Sequence, residues 1–86
     1  MPRISSFYGI EISMYFLDHE PPHFHAESGE HSAKVEIATG EIYVGTLPRR
    51  DARLVRKWAQ VHRRELEENW DRARGRDALA SIDPLP

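Results

Sequence analysis

The sequence predicts an α+β domain, a four-stranded antiparallel meander within residues 8–46 with one long C-terminal helix packed on one face. Two patterns carry that prediction. Apolar and polar residues alternate with period two through the first half of the chain, and apolar residues recur at helical spacing through the second. The segments linking the predicted strands are short, which favours neighbouring antiparallel strands.

The first predicted strand runs from Gly9 to Phe16, with Ile10, Ile12, Met14 and Phe16 facing one way and Glu11, Ser13 and Tyr15 the other. His23 to Glu27 alternates as well, placing Phe24 and Ala26 opposite His23, His25 and Glu27. A turn at Ser28–His31 leads to a third strand, Ala33 to Ala38, with Val35 and Ile37 inward. Thr39-Gly40 suits a hairpin turn, and Glu41 to Thr46 then places Ile42 and Val44 inward.

The helix is predicted over about 48–74. Ala52, Val55, Trp58, Ala59, Leu66, Trp70 and Ala73 fall in one stripe at about 100° per residue. Pro48 suits its first turn, Asp51 complements the N-terminal dipole, Arg72 and Arg74 the C-terminal one, and Gly75 suits the exit. The tail, 76–86, carries Leu79, Ile82 and Leu85, which are expected to pack across one edge. A helix laid on one sheet face buries both apolar surfaces. It leaves the outer face and the sheet edges open, the expected routes to a homo-oligomer.

With 86 residues the chain forms one domain, 1–86, with one modest core. It has no cysteine, so disulfides and thiolate metal sites are excluded, and any metal would be held by imidazole and carboxylate. No apolar run resembles a signal peptide or a membrane span, and a cytoplasmic protein with no membrane partner is expected. Charge is divided along the chain. Residues 1–48 carry two basic and seven acidic groups, net −5, whereas residues 49–76 carry ten basic and five acidic groups, net +5.

Four of the five histidines lie between His19 and His31, around the rigid pair Pro21-Pro22. Residues at i and i+2 of a strand point the same way, about 6.6 Å apart. His23, His25 and Glu27 should therefore project together, with Glu11 and Tyr15 across from them and Asp18 and His19 in the adjoining loop. Three roles fit these residue types. His23 and His25 could act as an acid–base pair assisted by Glu27 or His19, without a cofactor. His23, His25 and His19 could bind zinc, nickel, manganese or iron. The same residues could also be a polar outer face and a structural turn. His62 falls on the apolar stripe of the helix, near Asn69, and is expected to be a buried histidine bonded to a polar neighbour, apart from His23 and His25.

Arginines crowd the start of the helix. Arg49, Arg50 and Arg53, with Tyr15 as an exposed aromatic, are the candidate contacts for RNA or for a protein partner. The alternative is a solvated face paired with Glu65, Glu67, Glu68 and the acidic sheet.

The strings Phe7–Ile10, Met14-Tyr15, Asp18–Ala26, Gly45–Arg49 and Trp58–His62, with Glu65-Leu66, Asn69-Trp70 and Ile82–Leu85, resemble a small bacterial family known as domain of unknown function 4160. The resemblance spans nearly the whole chain, and Asp18–Ala26 is its most specific part. It implies a short stand-alone protein encoded beside a second small protein, as the toxin-like or regulatory member of a two-protein, toxin–antitoxin-like pair. It brings no established catalytic residues. A binding module of that kind is the leading expectation, with a small ribonuclease using His23 and His25, or a non-catalytic metal-binding domain, as alternatives.

Overall fold

Among the described residues, five antiparallel strands joined in chain order form one sheet, and two consecutive helices cover one of its faces. The computed structural model describes residues 2–86; Met1, the first residue of the expected domain, lies outside the described residues. The strands are β1 (Arg3–Phe7), β2 (Ile10–Ser13), β3 (His23–Ser28), β4 (His31–Glu36) and β5 (Ile42–Gly45), followed by α1 (Arg49–Val61) and α2 (Arg63–Arg74). The architecture is α+β with an antiparallel meander, with five strands in place of the expected four and two helices in place of one.

The additional strand is β1. Its buried residues, Ile4 and Phe7, lie three apart, because the register with β2 shifts between Arg3 and Ser5. A bulge of this kind re-aims the strand, so no period-two signal exists to be read. Tyr8 and Gly9 then form a two-residue loop with φ of 51° and 78°, the left-handed pair that suits a tight hairpin. Along β2, Ile10 and Ile12 are fully buried, and Met14 beyond it remains so. Phe16, expected inward, is 43% exposed, since the strand has ended and Leu17 turns the chain at φ 55°.

A second bulge corrects β5. Lys34 pairs with Val44 and Val35 with Ile42, so Tyr43 is the additional residue. Val44 is thereby carried to the outer face beside Lys34 and is exposed, contrary to the expected inward position. His31, expected in a turn, instead opens β4 opposite Ser28.

The helical stripe is real but the helix is interrupted. His62, at φ −108° and ψ 26°, separates α1 from α2. The chain still donates from His62 N to Trp58 O and from Leu66 N to His62 O, so the four-residue spacing survives on both sides. Apolar phase is unbroken, and periodicity alone could not reveal the interruption. The Trp58 ring sits at the centre of the core, 5.3 Å from Phe7 and 5.6 Å from Phe24, and its Nε1–H donates to Asp83 O. Fully buried Asn69 fastens the tail, donating to Ala80 O and accepting from Ala80 N–H. Ile82 N–H donates to Ile4 O, which places the tail along the outer edge of β1. Among the described residues, no helix is long and apolar enough to cross a membrane.

Candidate metal centre

The loop between β2 and β3 is tied at both ends. Leu17 N–H donates to Ala73 O at the end of α2, and Pro22 O accepts from Ile37 N–H beyond β4. The loop, which contains a cis Glu20–Pro21 peptide, sets Asp18 over the first residues of β3. His23 opens that strand and is only 2% exposed, its ring centroid 5.4 Å from Trp70, 5.7 Å from Tyr43 and 5.2 Å from His25. His25, two residues on, pairs with Ser13 on one side and Lys34 on the other, and meets the Tyr15 ring edge-on at 4.2 Å.

Three side chains converge. Asp18 Oδ2 lies 3.0 Å from His23 Nε2 and 3.1 Å from His25 Nε2, and the three atoms lie within 4.8 Å of one another. The other nitrogen of His23, Nδ1, is 2.7 Å from Pro21 O. A carbonyl only accepts, so Nδ1 carries the proton and donates. In its neutral form the His23 ring therefore presents a lone pair at Nε2, directed at a carboxylate oxygen. Two acceptors face one another there, and a cation between them, a proton or a metal ion, resolves the contact.

The electrostatics follow from the same convergence. Burial works to raise the Asp18 pKa, but the hydrogen bonds from His25 and from the His19 N–H, with the charges of His23 and His25, bring it down to about 2. Burial lowers the His25 pKa, partly opposed by its bond to Asp18, and the His23 charge lowers it further. Burial, with the Asp18 and Glu36 charges, raises the Tyr43 phenol.

The expected site residues are dispersed. His23 and His25 are brought together, and Tyr15 joins them through His25. The His19 ring is exposed, and it is the backbone N–H of His19 that bonds to Asp18 Oδ1 at 2.8 Å. Glu27 is exposed, pairs across the sheet with Glu11 and Ser32, and stands outside the group of three. His62 has Glu65 and the Trp58 ring as neighbours, in place of the expected Asn69. Among the arginines, Arg49 and Arg53 line a cleft with Arg56, whereas Arg50 is bound to Asp51 and to Tyr8 O. The sequence places Asp18 in the loop beside the cluster but names His19 as the third metal ligand; in the structure it is Asp18 that meets His23 and His25. Tyr43 is the residue that the sequence does not assign to this site. Tyr43 reaches His23 near the β5 bulge, which leaves no trace in the pattern.

Residues 9–71, a span that includes Asp18, His23 and His25, match the family model described as Domain of unknown function (DUF4160). No curated protein and no solved structure matches the chain.

Proposed function

The chain belongs to the family described as Domain of unknown function (DUF4160), and we propose that it is a divalent-metal-binding domain whose protein ligands are Asp18, His23 and His25. The observation that carries this reading is the bond from His23 Nδ1–H to Pro21 O, which fixes the tautomer and aims the Nε2 lone pair at Asp18. Metal-ligating histidines characteristically donate their second ring N–H to a carbonyl or carboxylate in this way. The donor separations of 3.0 and 3.1 Å are also apt. Two ligands each about 2.1 Å from a metal lie roughly 3.0 Å apart at octahedral angles and roughly 3.4 Å apart at the tetrahedral angles of zinc.

Two imidazoles and one carboxylate suit zinc, manganese, iron or nickel, and three protein ligands leave coordination positions for water or a substrate. A metal held here would supply a Lewis acid and an acidified water. The chain's own residues orient the donors: Pro21 fixes His23, the His19 N–H fixes Asp18, and Tyr15 braces the ring of His25. The acid–base reading fits less well. A pair of proton-transfer groups should flank a reacting phosphate, whereas these imidazoles direct Nε2 at the same oxygen of Asp18. Pairing with a small protein encoded nearby would be a property of exposed surface and stands apart from this centre.

The test is titration of chelator-treated protein with zinc, manganese, nickel and ferrous ions, following uptake and thermal stability. One equivalent of at least one metal should bind and raise the melting temperature. His19→Ala and His31→Ala should bind as the wild type does, and Asp18→Asn should not. Uptake that is absent, or equal in wild type and Asp18→Asn, overturns the reading.

A further inference from the structure

The basic residues of α1 form a feature separate from the metal centre. Arg49, Arg53 and Arg56 line a cleft of about 370 Å³ whose other wall is Gly40, Glu41 and Ile42, at the start of β5. At about 100° per residue, Arg49, Arg53, Arg56 and Lys57 share one face of α1, opposite the buried face of Val55, Trp58 and Ala59. The turn lies close against the helix there: a Cβ added to Gly40, at φ +74°, would come 3.2 Å from Arg56 Cγ.

Charge in the cleft is not balanced. Arg56 meets Glu41 at 3.4 Å, with both side chains more than half exposed, a contact of little energetic weight. Arg49 and Arg53 form no ion pair among the described residues. Concave, uncompensated guanidinium groups attract anions, and their planar forks match phosphate oxygens two at a time. A positive groove that follows successive phosphates is the arrangement with which proteins track a nucleic-acid strand.

We infer that the Arg49–Arg53–Arg56 cleft binds consecutive phosphates of a single nucleic-acid strand. An acidic protein segment is the disfavoured occupant. It lacks the close-spaced tetrahedral anions that the guanidinium forks fit two oxygens at a time.

The test is fluorescence anisotropy of short labelled single-stranded RNA and DNA in chelator, so that the result is independent of the metal centre. Binding should weaken with salt, and each of Arg49→Ala and Arg53→Ala should weaken it roughly tenfold. Each should also reduce the slope of log affinity against log salt by about 0.7. Arg3→Ala serves as the control for net charge, because Arg3 lies on the far edge strand β1 and pairs with Glu11. All three positions are exposed, so circular dichroism should report the same fold. Absence of binding at low salt, an equal loss in Arg3→Ala, or binding of pyrophosphate without binding of either oligonucleotide overturns the proposal.

Discussion

His23 donates its Nδ1–H to the carbonyl of Pro21 across 2.7 Å, from a position only 2% exposed. This one contact joins the fold to the site, because the proline-stiffened loop that orients the ring also carries Asp18. His23→Ala should therefore act on both. Loss of a buried ring and its hydrogen bonds should cost about 2–4 kcal/mol in urea unfolding. His25, partly exposed on the sheet face, should cost less when replaced by alanine, about 1 kcal/mol. Both variants should lose the melting-temperature increment that metal gives the wild type. A stability cost for His25→Ala as large as that for His23→Ala would contradict the assigned difference in burial.

Asp51, in the first turn of α1, is the charged group that locks the helix onto the sheet. Ser28 Oγ–H donates to its Oδ2, Arg50 donates to Oδ1, and the carboxylate is 5% exposed. The Ser28 bond lowers its pKa most, burial opposes it, and Arg50 and His31 lower it further. A native pKa below the ordinary 3.8 stabilises the fold at pH values above 3.8, and that stabilisation is lost as pH falls through the native value. Asp51→Asn should therefore be less stable than wild type at neutral pH, by about 1–3 kcal/mol. The gap should narrow on acidification below 3.8 in pH-resolved thermal melts. A gap that stays constant into acid would contradict the assigned role.

Gly45 faces two independent constraints. Its φ is +81°, and an added Cβ would stand 2.2 Å from the carbonyl oxygen of Ser32 on β4. The first costs a non-glycine residue about 1–2 kcal/mol, and the second requires backbone to move. Gly45→Ala should lower stability by more than 2 kcal/mol. A denaturant midpoint within error of the wild type would refute the register of the β4–β5 pair.

The tail depends on Asn69. Asn69→Ala removes both bonds to Ala80 and leaves backbone groups of the tail without partners, at a cost of about 1–3 kcal/mol. Amide exchange should quicken at Ala80 and Ile82 before it does in β3. Unchanged exchange at Ile82 would show that the tail is held by other contacts.

Much of this was legible where local pattern and tertiary need agree. Ile10, Ile12, Phe24, Ala26 and Val35 alternate and are buried, and the stripe from Val55 to Ala73 is the buried face of the helical half. What stayed hidden has a physical cause in each case. Bulges at Ile4 and Tyr43 change strand parity, which erases β1 from the pattern and turns Val44 outward. The interruption at His62 preserves the four-residue spacing and so leaves no mark. At the site, the pairing of His23 with His25 was visible in their spacing. The role of Asp18 depends on how a loop folds back over β3, which no period expresses.

Histidine ring nitrogen spectra of the protein, recorded before and after one equivalent of zinc, test the central claim most directly. The Nε2 resonances of His23 and His25 should move together to zinc-bound positions, while His23 Nδ1 keeps its proton and the rings of His19, His31 and His62 are unaffected. Zinc-induced shifts at His19 or His31 in place of His23, or loss of the Nδ1 proton of His23, would contradict it.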